Sequence, residues 1–144
     1  MDRYERACIQ MECQQLLNRI TQLLDRGCWR ELADCYTEDA VLFRPSDPDK
    51  AVEGRQAIYE AFCTRPPRTS CHIVANSVFD ILDSDQVECI SRVWLVAGDA
   101  SDSFPVSAGS ELMVGSFVDL FVRINGAWFI KSRKGTMELK YAYR

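Results

Sequence analysis

An α+β fold is expected of this 144-residue chain, with three helices packed on a strongly curved, mainly antiparallel sheet that follows them. Three observations carry that expectation. Apolar residues recur at steps of three and four as far as Cys63, and Pro66-Pro67 ends that pattern because proline cannot continue a helical hydrogen-bond ladder. From Thr69 onward the period is two, the repeat of a pleated strand. Asn125-Gly126 then separates two alternating runs, and a two-residue hairpin needs positive φ at both central positions. A bent sheet wrapped over helices leaves an internal pocket between the layers.

The first helix is expected over about Tyr4 to Leu24, where Ile9, Cys13, Leu16, Leu17, Ile20 and Leu23 form one apolar stripe. Gly27 is a natural stop. A shorter helix follows, with Trp29, Leu32, Ala33 and Tyr36 on one face, and Asp39 ends or caps it. Ala40 to Arg44 reads as a short extended piece, and Pro45 to Asp49 as a turn-rich loop. Gly54 to Cys63 gives the third helix, with Ile58, Ala61 and Phe62 facing inward. Strands are expected over Thr69–Leu82, Gln86–Val96, about Glu111–Ile124, and Ala127 to about Leu139. Ala97 to Gly109, rich in Ser, Asp, Gly and Ala, reads as a mobile loop. No internal repeat is visible, and the length suits one domain over residues 1–144.

Composition excludes several classes. The net charge of -4, with acids and bases interspersed, offers no basic stripe to displace phosphate counterions, so nucleic acid is not expected as a partner. No apolar run is long enough to span a membrane, and the start of the chain has no signal-peptide core, so the cytoplasm is the expected location. Seven cysteines without a Cys-x-x-Cys, beside a single histidine, do not suit a metal site. They read as small buried hydrophobes, with Cys71 and Cys89 as candidates for surface thiols.

The lone histidine, His72, lies in the strand Thr69–Leu82. Strict alternation puts His72, Val74, Asn76 and Val78 on one face, a mixture of polar and β-branched residues that suits a pocket lining. Histidine titrates near neutral pH unaided, which makes His72 the candidate general base or acid. Asp25 falls at the end of the first helix, where the dipole disfavours a carboxylate by about 0.3–1 kcal/mol. Either it accepts a hydrogen bond from one ring nitrogen of His72 and fixes the tautomer, or it N-caps the second helix. Arg44 enters the cavity to hold an anionic or carbonyl oxygen, or forms a salt bridge at the rim. Asp119 shares a face with Phe117, Phe121 and Arg123, and if buried it needs a partner such as Arg92 or Arg133. Trp94, Trp128 and Phe117 supply apolar surface, as pocket wall or as dimer face.

The runs Leu24 to Leu32, Tyr36-x-x-Asp39-Ala40, Glu53-Gly54-Arg55 and Ala57-Ile58 resemble the helical half of SnoaL-like proteins. The sheet half is similar too, through His72-x-x-x-Asn76, Gly115-x-Phe117-x-Asp119 and Gly126-x-Trp128-x-Ile130-x-x-Arg133. The resemblance spans about Leu16 to Arg133 and implies a member of the nuclear transport factor 2-like superfamily, with its cone-shaped, cystatin-like barrel and deep pocket. Asp25 and His72 fall where scytalone dehydratase carries an aspartate–histidine pair. The chain departs from that enzyme in having Leu24 and Arg44 where tyrosines stand, and in lacking a second pocket histidine.

Two functional classes follow. One is a small lyase or isomerase that moves a proton on an apolar carbonyl compound, with Asp25 and His72 catalytic, with Arg44, Asn76, Trp94, Phe117 and Asp119 binding the ligand, and with neither metal nor organic cofactor. The other is a non-catalytic ligand-binding or assembly module, as dioxygenase β subunits of this architecture are. A homodimer through the exposed sheet face is expected in either case.

Overall fold

A computed structural model describes residues 1–141. Helix α1 (Arg3–Arg26) opens with a capping box. The Asp2 carboxylate accepts the Glu5 N–H and the Glu5 carboxylate accepts the Asp2 N–H, both at 2.8 Å. It closes on Gly27 at φ 68°, a left-handed conformation that glycine adopts without a Cβ penalty. Its buried residues are Ile9, Cys13, Leu17, Ile20, Thr21 and Leu23, the predicted stripe except that Leu16 is half-buried and Thr21 joins it. Helix α2 (Trp29–Asp34) is short and is followed by strand β1 (Tyr36–Arg44). Tyr36 therefore starts a strand instead of ending a helix face, and Asp39 is an exposed β1 residue that accepts from Thr37.

Residues 45–49, expected as a loop, instead turn back into strand β2 (Asp47–Glu53), which pairs antiparallel with β1 at the sheet edge. Helix α3 (Arg55–Cys63) follows, and the Trp29 and Phe62 rings stack at 5.4 Å to hold α2 on α3. The Arg55 guanidinium donates twice to the Tyr36 carbonyl, at 2.7 and 2.8 Å, which fixes the start of β1 to α3. Four long strands complete the sheet: β3 (Arg68–Ile81), β4 (Gln86–Asp99), β5 (Ala108–Ile124) and β6 (Ala127–Tyr141). Pairing carries β4 and β5 further than the composition suggests, so the expected loop 97–109 shrinks to residues 100–107.

The strand order is β2-β1-β6-β5-β4-β3, antiparallel except where β1 runs parallel to β6. Asn125 and Gly126, at φ 51° and 81°, make the two-residue turn between β5 and β6 as expected. Inner-face residues Val87, Cys89, Phe121 and Ile130 pack with the α1 stripe into one core. The outer face carries Ile73, Val78, Ile90, Trp94, Val118 and Leu139, all exposed.

One irregularity changes the reading of β3. Ala75 pairs with Arg92 and Val78 with Ile90, so Asn76 and Ser77 together oppose Ser91. This bulge puts Asn76 at φ 54°, which asparagine tolerates better than most residues. One extra residue reverses the alternation. Beyond it Ser77, Phe79 and Ile81 turn inward, and Val78 turns out to 71% exposure.

Among the described residues no helix is long and apolar enough to cross a membrane. All seven cysteines are free. Of the two candidate surface thiols Cys71 is exposed and Cys89 is buried, and Cys63, read as a buried hydrophobe, is exposed as well. Burial first, then the Glu12 charge, pushes the Cys13 thiol up to about 12, so it stays protonated and behaves as a hydrophobe.

Candidate active site

The helices and the concave sheet face enclose a cavity of about 550 Å³. Ile20 and Leu24 of α1, Tyr36 and Leu42 of β1, and Phe117 of β5 give it a largely apolar wall. His72 lies in that wall, because the alternation that puts Cys71 and Ile73 outside puts the imidazole inside.

Asp25 sits in the last turn of α1, directly behind the ring. His72 Nδ1 lies 2.6 Å from Asp25 Oδ1, the His72 backbone N–H donates to Oδ2 at 2.9 Å, and the Ser70 hydroxyl donates to Oδ1 at 2.9 Å. A carboxylate in this position only accepts, so Nδ1 carries the hydrogen of the neutral ring and Nε2 keeps its lone pair. Among the described residues Nε2 has no hydrogen-bond partner. Asp25 does not cap α2, whose N-cap is Cys28 without a side-chain bond. Burial raises the Asp25 carboxyl, but the hydrogen bonds from the His72 ring and N–H, the electrostatic attraction of the imidazole and the Ser70 hydroxyl outweigh it and hold the carboxyl below its ordinary value.

That shift has a testable sign. A carboxyl whose folded pKa is depressed contributes stability that is complete above its unfolded value and is lost as pH falls through the folded one. The melting-temperature gap between wild type and Asp25→Asn is therefore expected to close as pH falls below about 4. A gap that is unchanged from about pH 5 to about pH 3, in thermal melts taken across that range, contradicts the assignment.

The other expected residues divide. Arg44, at the end of β1, and Phe117 line the cavity. Asp119 does not, although it is buried; Arg133 Nε and Nη2 donate to its two oxygens at 2.7 and 2.9 Å. It is Arg133 that reaches the cavity, 4.1 Å above the Phe117 ring. Burial works against that charge, but the Asp119 carboxylate outweighs it and holds the guanidinium above its ordinary pKa. Asn76 is excluded from the cavity by the β3 bulge and is exposed. Trp94 points to the outer face, 46% exposed, because β4 turns Val87, Cys89, Ser91 and Val93 inward.

Sequence reasoning missed Ser70, Tyr36, Arg65 and Arg68. Tyr36 is fully buried, and burial pushes its hydroxyl up to about 12, so it stays an O–H donor. The signal for the two arginines was the Arg65-Pro66-Pro67-Arg68 run, whose rigid prolines hold both beside the cavity.

A family model for the SnoaL-like domain matches residues 5–134. The chain belongs to the SnoaL-like family. No curated protein matches it. Among solved structures, a putative scytalone dehydratase from Novosphingobium aromaticivorans superposes with a TM-score of 0.81 at 18% identity, covering 97% of this chain and 91% of that one. The type 2 hexachlorocyclohexane dehydrochlorinase LinA gives 0.83 at 15% identity, with 99% and 94% covered. A cystatin-like protein of unknown function from Nostoc punctiforme gives 0.72 at 17%, with 90% of each chain covered. At such identities the likeness carries the fold, and this SnoaL-like domain has the α+β cone of the nuclear transport factor 2-like superfamily.

Proposed function

We propose that this SnoaL-like domain is a lyase or isomerase that removes a proton from carbon next to a carbonyl in a small, mainly apolar molecule. One observation carries the reading: an imidazole held through Nδ1 by a carboxylate, with its other nitrogen free at the wall of a cavity large enough for a ring compound. His72 Nε2 is the base. Asp25 keeps the tautomer and stabilises the imidazolium that forms. Arg133 and the Tyr36 hydroxyl are the donors that would take the developing enolate oxygen. The names of two structural neighbours, a putative dehydratase and a dehydrochlorinase, are those of elimination enzymes and support the class. The test is deuterium uptake at the α-carbon of cyclic ketones and β-hydroxy ketones in heavy water. Uptake on one of them that depends on His72 is the expected result; none across a broad panel, or uptake unchanged without His72, overturns the reading.

The outer sheet face favours self-association, whether or not the cavity is catalytic. Trp94 beside Ile73, and Ile90 beside Val118, expose apolar surface on paired strands, on either side of the Arg92–Glu138 ion pair. A twofold dimer through that face is part of this proposal. Trp94→Glu is expected to convert a dimer to a monomer in native mass spectrometry, because a charge facing its own symmetry mate is costly to desolvate. A wild-type monomer at micromolar concentration contradicts it, and a stable complex with a different subunit favours the assembly role.

A further inference from the structure

The proton-transfer chemistry leaves three cations at the same cavity without a role. Arg44, Arg65 and Arg68 all line it, and among the described residues no aspartate or glutamate does. Among the described residues none of the three is paired with a carboxylate. Arg133 differs, since Asp119 already neutralises it. Arg65 is only partly exposed, with its guanidinium 4.8 Å from the Phe62 ring centre. Burial first, then the neighbouring Arg68 and Arg44 charges, pulls its pKa down to about 10. Like charges gathered at a partly apolar wall oppose one another, and among the described residues no carboxylate pairs with them.

The placement is built by the backbone. Pro66-Pro67 rigidly separates Arg65, just past α3, from Arg68, the first residue of β3. Arg44 reaches the same cavity from the end of β1, where the register shifts between Phe43 and Arg44. A guanidinium presents a planar fork of donors that matches an oxyanion. An incoming anion would satisfy all three and remove their mutual repulsion.

We infer that the ligand of this cavity is an amphiphile with an apolar body and one oxyanionic group, held by Arg44 and Arg65 with Arg68 at the rim. The inference rests on the reading of this cavity as the substrate site. It places the acidic end of the substrate at the arginines and leaves the apolar body to reach His72.

The test uses two dyes with the same apolar body, anilinonaphthalene sulfonate and the neutral phenylnaphthylamine, titrated by fluorescence against the full chain. The sulfonate is expected to bind the wild type at least about tenfold more tightly, a preference that fades with added salt. Arg44→Gln and Arg65→Gln are each expected to reduce that preference severalfold, while Arg44→Lys retains most of it. If a glutamine variant at Arg44 or Arg65 does not fold, Arg68→Gln at the exposed rim serves, with a smaller fall of about twofold. Equal affinities in the wild type, or a preference that no arginine variant alters, overturns the inference. Retained deuterium uptake beside equal dye affinities sinks the anion reading alone. Absent uptake beside an arginine-dependent preference sinks the proton-transfer reading alone.

Discussion

His72→Ala is expected to lower α-proton exchange by about 10²–10⁴, the usual contribution of a positioned acid–base group, with little loss of stability. Among the described residues Asp25 is the one side chain that hydrogen-bonds the ring, so removal of the ring leaves a small gap beside an existing cavity. Asp25→Asn is expected to fall between this variant and wild type. The carboxylate accepts from Ser70, from the His72 N–H and from Nδ1, and an amide oxygen cannot serve all three. An amide can also donate to Nδ1, which would put the hydrogen on Nε2 and remove the base. Rates measured by deuterium uptake for the variants and wild type decide it. Equal rates for His72→Ala and wild type remove His72 from the reaction.

Arg133→Ala is expected to destabilise the sheet strongly. It strands the Asp119 carboxylate, 1% exposed, among Tyr36, Cys89 and Phe117. Breaking a buried pair from one side costs about 3–5 kcal/mol. For a domain of this size that corresponds to a fall in melting temperature on the order of 10 °C. Replacing both partners together, as Arg133→Met with Asp119→Leu, is expected to recover most of the loss, because no uncompensated charge remains. A single variant that melts within about 2 °C of wild type would show that the pair contributes little.

The parts of this fold legible in the sequence are those with one wet and one dry face. Helix α1 showed its stripe, and Asn125-Gly126 showed its turn. The Asp25–His72 arrangement was visible only through resemblance, since residues 47 apart in sequence leave no local pattern. Strand β2 was invisible because it is an exposed edge: Asp47-Pro48-Asp49-Lys50 buries nothing, and its backbone pairing with β1 alone makes it a strand. Trp94 and Phe117 were indistinguishable because β4 and β5 carry apolar residues on both faces. Period two says which residues travel together and not which side is the interior. Asn76 failed for a smaller reason, one inserted residue in β3, and its own poor strand propensity was the only hint.

The parallel ladder between β1 and β6 has a kinetic consequence. The first and last strands of the sheet are neighbours, and β6 lies between β1 and β5. During synthesis the helices and the β3–β4 hairpin can form as they leave the ribosome, but the wall that holds Arg133 and Gly135 does not exist until the final strand is released. Until then the edge of β5 stays unpaired, so the interval between the synthesis of β5 and the release of β6 is when this chain is most open to aggregation.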